Sequence, residues 1–191
     1  MLDYDREAPT YDDTRGGACR ATAAAAELER LLPVGGTVLD VGGGTGIVTS
    51  VLAARGRRVL VADRSVGMLR LAGRRLPGRV LAGDATALPV RTASVRGIVI
   101  VWLLHLMPSA VDSVFAECAR VLEPAGVLVC TVDKDASGRG ESPDPSACDA
   151  VATVTATAAR FGLAHCADGA FVGGSARPPP TYPVRAFRRE G

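Results

Sequence analysis

Lysine is nearly absent from this chain: of its 22 basic residues, Lys134 is the one lysine, and no basic run extends beyond pairs such as Arg57-Arg58. With 20 acidic residues the formal net charge is only +2 and the pI lies near 8.4. Nucleic-acid binding draws on a clustered basic face, and this scatter argues against it. Arginine in place of lysine, beside abundant Ala and Gly, reads as the mark of a GC-rich coding sequence rather than of a function. Long apolar runs are also missing. The longest, Gly97 to Met107, is too short to span a bilayer, and the first residues lack the basic, apolar and small-residue order of a signal peptide. The expectation is a cytoplasmic protein without a membrane partner. The five cysteines, Cys19, Cys118, Cys130, Cys148 and Cys166, are odd in number and far apart, with no Cys-x-x-Cys pair or His cluster. That argues against both a disulfide framework and a metal site. No internal repeat is visible, and 191 residues suit one domain with a sizeable core.

What is present is glycine, and it is concentrated at one place. Thr37 to Val41 reads as a short buried strand ending near an acid, Asp40, and Gly42, Gly43, Gly44 and Gly46 then strip the side chains from the turn that follows. From Ile47 the text reads as a helix, whose free N–H groups point back over the glycines. Strand, bare turn and helix together make a nucleotide-type site. The dinucleotide fingerprint Gly-x-Gly-x-x-Gly fails here, because its third glycine falls on Ile47. A nucleotide-binding oxidoreductase is thereby disfavoured. What remains is Asp-x-Gly-x-Gly-x-Gly.

Strands and helices alternate along the rest of the chain. Strands are expected at Thr37–Val41, Arg58–Ala62, Arg79–Ala82, Ile98–Trp102, Val127–Val132 and Val184–Arg188, the last beginning at Pro183 as an edge or antiparallel strand. Helices are expected at Arg20–Leu32, Ile47–Ala54, Val66–Leu76, Ala110–Leu122 and Ala147–Phe161, with surface loops at Ala136–Pro145 and Gly173–Pro183. Continuous Val/Ile/Leu strands between helices imply an α/β fold with a doubly wound, mostly parallel sheet covered on both faces.

Such a sheet delivers several chemistry-bearing residues to one edge. Asp63 ends the second strand, where a carboxylate can bind two ribose hydroxyls or, alternatively, cap the helix at Val66. Asp84 ends the third strand and His105 follows the fourth. His105 is the best proton-acceptor candidate, although a histidine flanked by Leu104, Leu106 and Met107 can equally be a packed one. Trp102 and Tyr11 can stack on an aromatic ligand or lie beside a cation, and Trp102 can also be core. Asp133 and Asp135 border the same edge and read as loop solvators.

The joint pattern of the Asp40-glycine turn, Asp63-x-Ser-x-x-Met68, Gly83-Asp84-Ala85 and Arg120-Val-Leu-x-Pro-x-Gly126 resembles class I S-adenosylmethionine-dependent methyltransferases, specifically the small-molecule type-11 branch, over about residues 11 to 132. The resemblance implies a single domain with sheet order 3-2-1-4-5-7-6, in which residues 1–33 form a leader and helix closing over the cofactor and residues 34–191 the Rossmann-like core. It implies that Asp40, Gly42, Gly43, Gly44 and Gly46 lie against the methionine part of S-adenosylmethionine, and that Asp63 holds the ribose. Arg64 and Met68 would flank the adenine, Asp84 with the Ala85 amide would read its edge, Tyr11 would cover the cofactor, and Arg15 would pair with its carboxylate. The products would be S-adenosylhomocysteine and a small molecule methylated on O, N or C. A binding protein or cyclase-like enzyme that keeps the cofactor pocket without methylating is the alternative. Arg96 and Gly97 stand where many relatives carry an acid, and little chain follows the fifth strand to make a lid. An open site closed by the leader, by Ala136–Pro145 or by a second subunit follows, in a monomer or homodimer.

Overall fold

The structure, a computed structural model, describes residues 3–174 and 178–191. The chain opens with short helical pieces, α1 (Tyr4–Glu7), a 3-10 turn (Ala8–Thr10) and α2 (Tyr11–Thr14), before the long α3 (Gly17–Leu31). There follow β1 (Thr37–Val41), α4 (Ile47–Ala54), β2 (Arg58–Asp63), α5 (Val66–Arg75), β3 (Val80–Ala82) and β4 (Val95–Ile100). A 3-10 turn (Leu104–Leu106), α6 (Val111–Val121), β5 (Leu122–Thr131), α7 (Lys134–Arg139), α8 (Val151–Arg160), β6 (Leu163–Val172) and β7 (Thr181–Arg189) complete it. The seven strands form one sheet in the order β3-β2-β1-β4-β5-β7-β6. β1 to β5 pair in parallel, and β7 runs antiparallel to both β5 and β6.

Side chains alternate across each central strand and feed two cores. On one face Val38, Val99, Val127 and Val129 pack with Leu28 of α3, Leu52 of α4 and Ala72 of α5. On the other, Leu39, Ile98, Ile100 and Leu128 pack with Phe115 of α6 and Val154 of α8. Two covered faces explain why β1, β4 and β5 read as unbroken apolar runs. Gly46 takes φ +69° to turn the chain from the glycine loop into α4, and a Cβ there would meet the Ala72 Cβ at 3.2 Å. Its bare Cα lets the start of α4 lie close against α5.

Several boundaries differ from the sequence reading. β6 was not among the expected strands: its text, Leu-Ala-His-Cys-Ala-Asp-Gly-Ala-Phe-Val, is largely small and polar because it is an edge strand paired only with β7. β4 starts at Val95 and stops at Ile100, since Trp102 adopts a left-handed φ of 58°. β5 begins at Leu122, which pairs with Val95, so the strand follows α6 directly. The expected loop Ala136–Pro145 contains most of α7, and the last helix starts at Val151 rather than Ala147. Of the expected loop Gly173–Pro183, residues 175–177 lie outside the described residues, and Thr181–Pro183 belong to β7. No helix of the described residues is long and apolar enough to cross a membrane.

Candidate active site

The strand order reverses between β1 and β4, and a crevice opens beyond the carboxyl ends of β1, β2, β3 and β4 at that switch point. A cavity of about 540 Å³ fills it. Gly42, Gly44, Asp63, Arg64, Met68, Asp84, Ala85, Trp102 and Tyr11 all border this space. A Cβ on Gly44 would meet nothing nearer than the Met68 sulfur at 3.8 Å, so the backbone there faces the cavity bare.

Asp63 is the hub of the crevice. One carboxylate oxygen accepts from the Gly44 amide at 2.9 Å and the other from the Ser65 amide at 2.8 Å. The helix cap is Ser65, whose hydroxyl accepts from the Met68 amide at 3.1 Å, so Asp63 does not cap α5 itself. An ionised carboxylate has about four acceptor positions. Two therefore remain on Asp63 for hydroxyl donors in the cavity. Asp84 accepts from the Thr86 amide at 2.8 Å and hydroxyl at 2.6 Å on a single oxygen, which braces the turn after β3.

Asp40, Gly43 and Gly46 sit underneath the turn rather than on the cavity wall. Asp40 is buried at 2% exposure, where one oxygen accepts from the Thr49 hydroxyl and the other has no partner. Burial pushes its pKa up to about 7, with the nearby Asp63 charge adding to the rise. A side chain on Gly43 would strike this carboxylate at 2.7 Å. Asp40 thus supports the turn from below.

The leader lies across the crevice and is tied down at two points. Asp5 accepts from the Ser65 hydroxyl at 2.6 Å and the Gly67 amide at 2.7 Å. Asp12 accepts from the Thr45 hydroxyl at 2.6 Å and from Arg75 at 2.6 Å. Between these anchors the Tyr4 and Tyr11 rings stand 6.1 Å apart and roof the cavity.

A second cavity, of about 530 Å³, adjoins the first and shares Tyr4, Tyr11, Trp102 and Leu106 with it. Arg15, Arg20, His105, Lys134, Asp135, Arg139 and Tyr182 border it. Arg15 therefore reaches the second space rather than the first. Trp102 presents one face to the Arg20 guanidinium, 3.7 Å away, and packs edge-on against Phe171 and Tyr182. His105 is half-buried with its Nδ1 unpartnered, and burial beside Lys134 lowers its pKa to about 4. The imidazole is neutral at physiological pH. Asp133 is buried and accepts from the Val151 amide, so it does not solvate a loop, whereas Asp135 is exposed and pairs with Lys134 at 2.8 Å.

Sequence reasoning missed Arg20, Tyr182 and the anchoring carboxylates Asp5 and Asp12. Arg20 carried one readable signal: a cation in the early turns of α3, where the helix dipole disfavours positive charge. Tyr182 gave none, because only the return of β7 beside β5 brings it to the second cavity.

The fold and the crevice define a Rossmann-like methyltransferase domain. A family model described as a methyltransferase domain matches residues 39–130. This match, the fold and the relatives below support a class I S-adenosylmethionine-dependent methyltransferase, a class whose cofactor is S-adenosylmethionine. The chain is 36% identical over 132 residues to a demethylmenaquinone methyltransferase of Renibacterium salmoninarum, a match covering 66% of this chain and 55% of that one. It is 34% identical over 134 residues to the biotin biosynthesis bifunctional protein BioHC of Cellvibrio japonicus, covering 64% of this chain and 25% of that one. The chain thus spans about half or less of these curated relatives. Among solved structures, a methyltransferase of Thermotoga maritima, described as a possible histamine N-methyltransferase, superposes with TM-score 0.76 at 15% identity over 98% of both chains. A methyltransferase of Mesorhizobium loti superposes with TM-score 0.71 at 20% identity, over 91% of this chain and 100% of that one.

The residues present fit the cofactor: bare backbone at Gly44, free acceptor positions on Asp63 and the apolar side chains of Met68 and Ala85 occur in one cavity. Replacing Asp63 by Ala should weaken S-adenosylhomocysteine binding by about 1–3 kcal/mol in calorimetry, from loss of charge-assisted bonds. A variant that melts earlier but binds normally would show that Asp63 serves the fold alone. Asp40 makes stability depend on pH. Between the ordinary carboxylate value of 3.8 and about 7, the folded chain holds a proton that the unfolded chain releases, so stability falls as pH rises through that window. Asp40→Asn, which keeps an acceptor for Thr49, should remove a slope of up to about 1.4 kcal/mol per pH unit, read from urea melts at about pH 5 and about pH 8.

Proposed function

We propose that this chain transfers a methyl group from S-adenosylmethionine to a small molecule seated in the second cavity. The observation that supports it most is the placement of two adjoining cavities on either side of Tyr11 and Trp102, one fitted to the cofactor and the other bearing His105. Bound in the first cavity, the cofactor supplies a methyl group on a sulfonium sulfur, a leaving group already activated.

The chain's own work is then alignment, water exclusion and proton removal. Asp63 holds the ribose, Arg64 and Met68 flank the adenine, Asp84 and the Ala85 amide read its edge, and the glycine turn borders the methionine part. The leader, residues 1–33 with α3, closes this pocket, and Tyr4 and Tyr11 keep water from the boundary between the cavities. His105 Nδ1 takes the proton from an O–H or N–H acceptor as the new bond to carbon forms and the carbon–sulfur bond breaks. Its lowered pKa leaves it unprotonated, so it needs no deprotonation to act.

Incubating the protein with S-adenosylmethionine and candidate acceptors should yield S-adenosylhomocysteine together with a product heavier by one methyl group. A protein that binds the cofactor tightly yet releases no S-adenosylhomocysteine with any acceptor would favour the binding or cyclase-like alternative. With an acceptor in hand, kcat/KM should show no histidine limb between about pH 6 and about pH 8, and His105→Gln should lower kcat by roughly 100-fold or more.

Closure is tested without any acceptor. The leader's helices are too short to persist unaided, so its order depends on the Asp5 and Asp12 anchors and on what lies beneath it. Hydrogen exchange across residues 4–16 should slow on adding S-adenosylhomocysteine. Equal exchange with and without saturating ligand would mean that the leader does not respond to the cofactor.

A further inference from the structure

The second cavity is unlike the rest of the chain in composition. Aromatic residues make up only 4% of the sequence, yet all three tyrosines, Tyr4, Tyr11 and Tyr182, and the sole tryptophan, Trp102, border this one space. Its charge is equally lopsided. Arg15, Arg20, Lys134 and Arg139 face it against the single carboxylate of Asp135. Lys134 is neutralised by Asp135 at 2.8 Å and Arg139 by Glu141 at 2.7 Å. Arg15 and Arg20 have no carboxylate partner among the described residues.

Arg20 is the more telling of the two. Its guanidinium is half-buried, stacked 3.7 Å over Trp102 and 5.9 Å from the Tyr182 ring. Burial lowers its pKa although the Tyr182 and Tyr11 phenols oppose the fall, Tyr182 also accepting a hydrogen bond from it; its partners are neutral groups. A cation removed from water without a counter-charge is costly unless an anion completes the site. The cofactor brings one carboxylate, and exposed Arg15, which borders the second cavity over Tyr11, the ring both cavities share, can meet it across that boundary. One guanidinium is left over, on the acceptor's side of Trp102.

We propose that the methyl acceptor is a planar small molecule bearing a carboxylate, held by the Arg20 guanidinium with its flat body among Tyr11, Trp102 and Tyr182. This rests on the methyltransferase reading above and names the substrate class of that same site. Arg20 selects the acid through a two-oxygen contact, the aromatic walls select flatness, and neutral His105 lies in the same cavity to receive a proton.

Trp102, as the only tryptophan, reports directly on its stacked neighbour. Protein saturated with S-adenosylhomocysteine is titrated with benzoate, benzamide and benzylamine, following Trp102 fluorescence and calorimetry. Benzoate should bind, and the amide and amine at least about tenfold more weakly, the loss expected when a bond to a charged group is removed. Arg20→Gln should cost benzoate about tenfold or more while S-adenosylhomocysteine affinity stays within about twofold, and Arg20→Lys should keep part of the benzoate affinity. Arg15→Gln should show the reverse pattern. Retained S-adenosylhomocysteine binding also shows that each variant is folded. The proposal is overturned if benzoate binds no better than benzamide or not at all, or if Arg20→Gln weakens the cofactor product and spares benzoate. Failure of the wild-type protein to bind S-adenosylhomocysteine would overturn the cofactor reading and this proposal with it, a result distinct from losing benzoate alone.

Discussion

Asp63 accepts the Gly44 amide with one oxygen and the Ser65 amide with the other, and the geometry of the crevice hangs on that pair of bonds. The first ties the glycine turn after β1 to the end of β2. The second sets the start of α5, whose cap, Ser65, in turn receives Asp5 of the leader. One carboxylate therefore links the turn, the neighbouring helix and, through Ser65, the segment that roofs them. Because its oxygens are only half used by backbone donors, the same group that organises the site can still accept from a ligand.

The layer below is built on a different balance. Asp40 sits where a charge is poorly tolerated, with Thr49 as its single partner and its second oxygen unpaired. Its carboxyl fills the space under Gly43 and so holds the turn up from within the sheet. Above, the leader gains its position from side-chain contacts, Asp5 to α5 and Asp12 to Thr45 and Arg75, rather than from helical stability of its own. A buried floor, a braced turn and a roof held by a few side-chain hydrogen bonds and one ion pair is an arrangement in which the roof is the part able to move.

The two cavities meet at Trp102. Its left-handed backbone ends β4 early and turns the indole across the sheet edge, where its amide is satisfied by the Thr131 hydroxyl at 2.8 Å. On one side lies the mostly apolar crevice around Met68 and Leu88, with Asp63, Arg64 and Asp84 on its wall. On the other lies the tyrosine-lined space with Arg15 and Arg20.

By itself the sequence determined the parts governed by local rules. The span of β1, the glycine turn and α4 were legible because periodicity, bare backbone and helix onset are written in consecutive residues. Asp63 and Asp84 were legible because each comes at the end of a strand on the same edge, whereas Met68 and Ala85 were named only through the motif resemblance. The parallel, doubly wound order followed from alternation of apolar strands with helices. Tertiary structure alone decided the remainder. The edge strand β6 lacks an apolar signature because one side has no neighbour, and Tyr182 reaches the second cavity only because β7 returns antiparallel beside β5. Arg15 and Arg20, five residues apart in sequence, share a cavity with Lys134 and Arg139 through contacts that span more than a hundred residues of chain. Charge balance at such a place is a sum over elements distant in sequence, so no stretch of it could have shown that two arginines there lack a counter-ion.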